Sequence, residues 1–218
     1  MKLLFFGLAV TVLPLFAAHQ DVALPPIALY TQFQAEPPAA ILASMQSEVR
    51  TIMAPAGFTF NWIQLSTADG THSVVELAIV SFKGRCDADE LRIRDSIPGA
   101  LGWTNVSDGV ILPFANVDCS AVRSYIQKEL LALPPDARIA AFGRALGRVL
   151  AHELYHIFAN TMHHGADGVA AEFFNVDMLL RPDFQFGARE SAALVNSQAH
   201  AYLENAAAAI ADELEHRF

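Results

Sequence analysis

Four of the chain's eight histidines lie within the 13 residues from His152 to His164, and this cluster constrains the fold more than any other feature of the sequence. The surrounding segment 137–158 is apolar on nearly every face when drawn as a helix, which predicts that the helix is buried. His152 and His156 are four residues apart, so a helix places both imidazoles on one face, about 6 Å apart along its axis. Because unpaired polar side chains are costly in a protein interior, this helix requires a partner for its histidines.

One Zn²⁺ ion can bind two imidazoles at this spacing, with each nitrogen about 2.0–2.1 Å from the metal. Glu153 directly follows the first histidine and lies near such a metal without binding it, which is the position of a general base acting on water. The pattern from His152 to His156 therefore predicts a catalytic zinc site. The other interpretation is a helix whose histidines are exposed or form hydrogen bonds in the core. Leu154 and Tyr155 fall on other helix faces and are expected to pack.

A zinc site that keeps one position open for water needs a third protein ligand. If the helix continued past His156, His163 and His164 would lie about 10–12 Å further along its axis and could not reach the metal. We therefore expect the chain to turn back after about Phe158. Asn160 is the local residue best suited to the left-handed conformation that ends a helix, and the two later histidines remain the nearest candidate ligands.

Residues 145–170 resemble the zincin metallopeptidases, and within them the metzincins, whose longer signature is HExxHxxGxxH. The predicted order of elements over residues 27–170 is also similar to that of a metzincin catalytic domain. The chain departs from the signature at two positions. Ala159 stands where the family has glycine, and Met162 stands where the family has its third histidine.

A related zincin pattern, HExxHxxxxxxxH followed shortly by glycine and an apolar pair, matches His164 with Gly168-Val169-Ala170 behind it. The resemblance thus implies that His152, His156 and His164 bind zinc, with His163 as the alternative third ligand. It also implies that Glu153, which directly follows the first ligand, is the catalytic base.

A gluzincin-like interpretation instead takes the third ligand from Glu172 or Glu190, which are otherwise expected to be solvated or helix-capping carboxylates. Met178 is expected to belong to the core rather than to a metzincin Met-turn. Arg144 and Arg148 precede the first histidine at helical spacing, and we expect them to pair with carboxylates of the sheet or of the C-terminal helix.

The pattern of elements changes midway along the chain. The hairpin prediction rests on Asp108-Gly109 between two apolar runs, and Pro113 argues against a fully central position for the second of its strands. Asp136 is the predicted cap of the histidine-bearing helix. The predicted strands cover 27–33, 58–64, 74–82, 101–106 and 110–116, and the predicted helices cover 37–55, 121–133, 137–158 and 192–214. The sequence therefore predicts an α+β, zincin-like fold, with a mixed sheet in the N-terminal half, a buried HExxH helix and a helical C-terminal half.

Composition excludes several classes of protein. With 53% hydrophobic and 17% charged residues, the chain is too apolar for a disordered protein. Its formal net charge of −9, without a basic block, makes it a poor ligand for a phosphate backbone, so we expect no nucleic-acid partner.

Residues 1–18 have the layout of a secretory signal peptide: one early lysine, an apolar stretch and small residues at its end. We expect residues 19–218 to form a single domain, exported to the periplasm or the medium, with no stable membrane span after signal cleavage; an uncleaved anchor is the alternative. Export favours a disulfide between Cys86 and Cys119 over two free buried thiols.

Together these features predict an exported zinc-dependent metallopeptidase that hydrolyses peptide bonds through a metal-bound water, with Zn²⁺ as cofactor and a peptide or protein as substrate. The edge strand at 101–106 is the candidate for pairing with an extended substrate. The alternatives are a non-catalytic exported zinc-binding protein and a zinc amidase acting on a non-peptide amide. The sequence does not specify an oligomeric state.

Overall fold

The structure is a computed structural model that describes residues 23–70, 73–89, 91 and 99–217. The predicted signal peptide, residues 1–18, lies outside the described residues. The elements in chain order are β1 (Ile27–Ala35), α1 (Ala39–Met53), β2 (Phe60–Gln64), β3 (Leu77–Arg85), β4 (Gly102–Ser107), β5 (Val110–Asp118), α2 (Cys119–Leu131), α3 (Pro135–Phe158), α4 (Val176–Leu180), α5 (Ala188–Val195) and α6 (Gln198–Glu215). The predicted α+β arrangement, with the sheet in the N-terminal half and helices in the C-terminal half, is confirmed.

The five strands form one mixed sheet in the order β2-β1-β3-β5-β4. Strands β1, β2, β3 and β5 run parallel, whereas β4 is antiparallel to β5 and forms an edge of the sheet. The predicted hairpin joins β4 and β5. Its two turn residues, Asp108 and Gly109, have φ angles of 51° and 78°, the left-handed backbone that a two-residue turn of this type requires.

Strand β5 lies inside the sheet despite containing Pro113. Its pairing with β3 begins one residue later, at Phe114, and its pairing with β4 is irregular between Thr104 and Val106. Proline therefore falls where it interrupts neither regular ladder, and this explains why an interior strand tolerates it.

Helix α3 packs against α1 through two glycines. A Cβ atom on Gly143 would lie 2.7 Å from the Ile41 carbonyl oxygen, and one on Gly147 would lie 2.8 Å from that of Met45. Larger residues would separate the two helices. The prediction that Asp136 caps α3 is wrong: the helix begins at Pro135, which needs no N–H partner there, and no side chain caps it.

Arg148 of α3 is completely buried, and its partners differ from the prediction. Its Nε donates to Glu48 of α1 at 2.7 Å, and its two terminal nitrogens donate to the carbonyls of Met178 at 2.7 Å and Arg181 at 2.6 Å. Arg144, predicted to pair in the same way, donates instead to the Leu180 carbonyl at 3.0 Å. Within the described residues, neither arginine pairs with the sheet or with the C-terminal helix, because α1, α4 and the residue after α4 cover this side of α3.

The predicted single helix at 192–214 is two helices, α5 and α6. The break falls at Asn196 and Ser197, where the Ser197 side chain accepts a hydrogen bond from the His200 N–H and so starts a new helix. The predicted disulfide between Cys86 and Cys119 is present and joins the loop after β3 to the start of α2. Across the described part of the chain, every helix is too short or too polar to span a membrane.

Candidate metal centre

The end of α3 places a third histidine beside the first two. The helix stops at Phe158, and Asn160 takes the left-handed conformation, with φ 47°, as the sequence predicts. The chain then turns back, so that the His164 ring lies 5.3 Å from the His152 ring and 4.8 Å from the His156 ring, measured between centroids. One ligand nitrogen from each of these three histidines lies within 4.8 Å of the other two.

The two helix histidines have a defined tautomer. Nδ1 of His152 lies 2.8 Å from the Val169 carbonyl oxygen, and Nδ1 of His156 lies 2.7 Å from that of Thr161. A carbonyl only accepts, so each Nδ1 carries the proton and each Nε2 presents a lone pair. These two Nε2 atoms are 3.0 Å apart. Two lone pairs at this distance repel each other unless a cation lies between them, and nitrogens on one tetrahedral zinc are about 3.3 Å apart.

Both histidines are held neutral, which is the form that binds metal. Burial, and to a lesser extent the neighbouring His156, lowers the pKa of His152 to about 3. Burial also lowers the pKa of His156. His152 and His156 therefore fit a zinc ion in charge and tautomer, and all three histidines fit one in spacing.

Glu153 lies beside this cluster on α3, facing strand β4. The carboxyl group is almost completely buried, and burial raises its pKa to about 7. Thr104 of β4 donates its hydroxyl hydrogen to Glu153 Oε2 at 2.8 Å, which opposes that rise. The other oxygen, Oε1, lies against Gly102, where an added Cβ atom would be only 2.9 Å away. The sequence did not indicate Thr104 or Gly102, because their role depends on the position of β4 relative to α3.

A cleft of about 520 Å³ opens next to the cluster. Its walls are largely apolar, and His152 and Glu153 are among the residues that line it. Phe173, on its rim, is 79% exposed. The lining residues are Gly99, Ala100, Leu101, Gly102, Tyr125, Val149, His152, Glu153, Glu172, Phe173 and Phe174.

The alternative ligands lie elsewhere. His163 is exposed, and its backbone N–H donates to Thr161 Oγ1. Glu172 lines the cleft, and Glu190 is buried beside Gly165 and Gly187. Within the described residues, the three-histidine cluster includes none of these three side chains.

The chain matches no model of a protein family and no curated protein sequence. Among solved structures, it is similar to a zinc-dependent peptidase from Methanocorpusculum labreanum (strain Z), with a TM-score of 0.49 and 13% sequence identity. The similarity covers 77% of this chain and 99% of that one.

Proposed function

We propose that the chain is an exported zinc-dependent metallopeptidase of zincin-like fold, formed as a single domain by residues 19–218 after removal of the signal peptide 1–18. The observation that carries the proposal is the convergence of three histidine nitrogens within 4.8 Å of one another, with a buried glutamate beside them that lines a cleft. The disulfide fits folding in an oxidising compartment.

His152, His156 and His164 would hold the zinc ion. Zinc bound there would supply a Lewis acid that acidifies a water molecule and polarises a peptide carbonyl. Glu153 would be the general base beside it, holding a proton on its carboxylate and delivering that proton to the departing amine. Its Oε1 is the oxygen available for this transfer, because Oε2 already accepts from Thr104.

Strand β4 is the proposed binding edge for the substrate. It pairs with β5 on one side and forms the edge of the sheet on the other, and its Thr104 contacts Glu153. An extended peptide can add to such an edge through main-chain hydrogen bonds, and this brings its backbone to the carboxylate.

The number of ligands favours an enzyme over a structural zinc protein. A structural zinc site has four protein ligands, whereas a catalytic site has three and keeps one position for water or substrate. The cluster among the described residues has three histidines. A zinc amidase would use the same groups, and the choice of substrate separates it from a peptidase.

The test is metal analysis of the purified protein together with cleavage of a peptide library. We expect about one zinc per chain, hydrolysis that a strong chelator abolishes and added zinc restores, and a loss of about 10²–10⁴-fold in turnover for Glu153→Gln with zinc retained. Full zinc with no cleavage of any peptide would indicate the non-catalytic protein or the amidase. A Glu153→Gln variant as active as the wild type would refute the mechanism.

A further inference from the structure

We propose that Thr104 and Gly102 of β4 together fix the Glu153 carboxylate in its working orientation, which makes Thr104 a positioning residue for the reaction. This inference rests on the proposed function and adds to it two residues outside the histidine helix. It depends on a hydrogen bond from Thr104, on the space that Gly102 leaves, and on the position of both residues on one face of the strand.

The hydrogen bond has a defined direction. The Thr104 hydroxyl lies 2.8 Å from Glu153 Oε2 and 3.2 Å from the Glu153 carbonyl oxygen. A hydroxyl has one hydrogen to donate, and the shorter contact to a carboxylate oxygen is the stronger one. Thr104 therefore binds one oxygen of the carboxylate and leaves the other without a partner from this strand.

Gly102 limits where that second oxygen can lie. A Cβ atom at this position would be 2.9 Å from Glu153 Oε1 and 2.8 Å from Val149 Cγ1, both closer than normal contacts. Only glycine leaves room for Oε1 in its observed place. Glu153 and Gly102 both line the cleft, so this oxygen is held at the boundary between the strand and the substrate-binding space.

The two positions are two residues apart on one strand, so their side-chain directions lie on the same face of the sheet. A single strand thus binds Oε2 and makes space for Oε1. Since β4 is also the edge proposed to bind the substrate, the strand sets the distance between the base and the peptide backbone. A carboxylate without this support would rotate, and poorly oriented proton transfer lowers turnover more than it lowers binding.

The first variant is Thr104→Val, which keeps the shape of the side chain and removes the hydroxyl. We expect kcat to fall by about 10–100-fold, the usual effect of losing a supporting partner, with KM and zinc content nearly unchanged. Thr104→Ser, which keeps the hydroxyl, should retain most of the wild-type kcat. Thr31→Val is the matched control, because its buried hydroxyl contacts the Ile63 carbonyl in the same sheet; it should leave kcat unchanged. A Thr104→Val enzyme with wild-type kcat, or a serine variant as slow as the valine variant, would overturn the proposal.

A double variant separates positioning from general damage. If Thr104 acts through Glu153, adding Thr104→Val to Glu153→Gln should cause no further loss of the residual activity. Equal losses in the two backgrounds would show that Thr104 acts independently and would overturn the proposal.

Crystal structures of the metal-free wild type and Thr104→Val provide a readout that needs no activity. We expect the Glu153 carboxylate to contact β4 in the wild type and to leave it, or to occupy several rotamers, in the variant. An unchanged carboxylate would overturn the positioning role. A wild-type protein that hydrolyses no peptide would instead refute the proposed function, and the crystallographic comparison would still decide whether Thr104 holds Glu153.

Discussion

At the scale of single residues, the third ligand is the least constrained part of the site. The two helix histidines are buried and have their Nδ1 atoms bound to carbonyls, whereas His164 is exposed and comes from a loop. His163 is next to it in sequence, but successive residues of an extended segment point in opposite directions. The loop can therefore present one of these two histidines to the metal, and the structure brings His164 to the cluster.

The first prediction compares alanine variants at these two positions. His164→Ala should weaken zinc binding severely and abolish activity, because it removes one of three ligands. His163→Ala should retain most of both. Zinc titration of the metal-free protein, with cleavage measured in parallel, checks this. The reverse pattern would transfer the ligand role to His163, and near-wild-type zinc binding in both variants would point to Glu172 or Glu190.

At the scale of secondary-structure elements, the sequence predicted the hairpin turn and the helix end that depend only on neighbouring residues. Asp108-Gly109 predicted the hairpin, and Asn160 predicted the end of α3, because each of these positions needs a left-handed backbone. The break between α5 and α6 at Ser197 was missed, since the alanine-rich sequence around it favours one continuous helix. A capping serine there starts a second helix instead.

Contacts between segments that are far apart in the chain could not be predicted from the sequence. Arg148 pairs with Glu48, which is 100 positions away, and helical spacing gives no information about such a partner. Thr104 contacts Glu153 across 49 positions, and its place depends on how the sheet edge lies over α3. The candidate ligands were predictable because they lie close together in the chain. Their supporting residues lie on other elements and were not.

The second prediction concerns the packing of α1 against α3. Arg148→Met should lower the free energy of unfolding by about 3–5 kcal/mol, because it leaves Glu48 without its buried partner and two carbonyls without donors. Arg144→Met, one helical turn earlier, removes one hydrogen bond to a carbonyl and should cost about 1 kcal/mol. Urea unfolding of both variants and the wild type measures the difference. Equal losses of unfolding free energy in the two variants would show that the ion pair of Arg148 and Glu48 stabilises the fold no more than a single hydrogen bond does.

At the scale of the whole molecule, the disulfide connects the sheet to the helical half. Cys86 and Cys119 are 33 positions apart and both buried, and the loop between them includes the entire β4–β5 hairpin. The bridge thus restrains the part of the chain that contains the edge strand of the site.

The third prediction is that replacing both cysteines by alanine lowers the free energy of unfolding by up to about 4 kcal/mol, the chain-entropy value for a loop of this length. Urea unfolding of the oxidised wild type and the double variant tests this, and alkylation with intact-mass analysis verifies the bridge. Two alkylated cysteines in wild-type protein from an oxidising compartment would contradict the disulfide itself. An unchanged urea midpoint would show that the loop is already restrained in the unfolded chain.

The partners of Arg148 determine when α3 can complete its packing during synthesis of the chain. Its partners include a residue of α1, made early, and the carbonyls of Met178 and Arg181, which leave the ribosome about 30 residues after it. Until that later segment arrives, burying the guanidinium would leave two of its nitrogens without acceptors, which is unfavourable. The histidine helix therefore completes its packing only after α4 and Arg181 have been made.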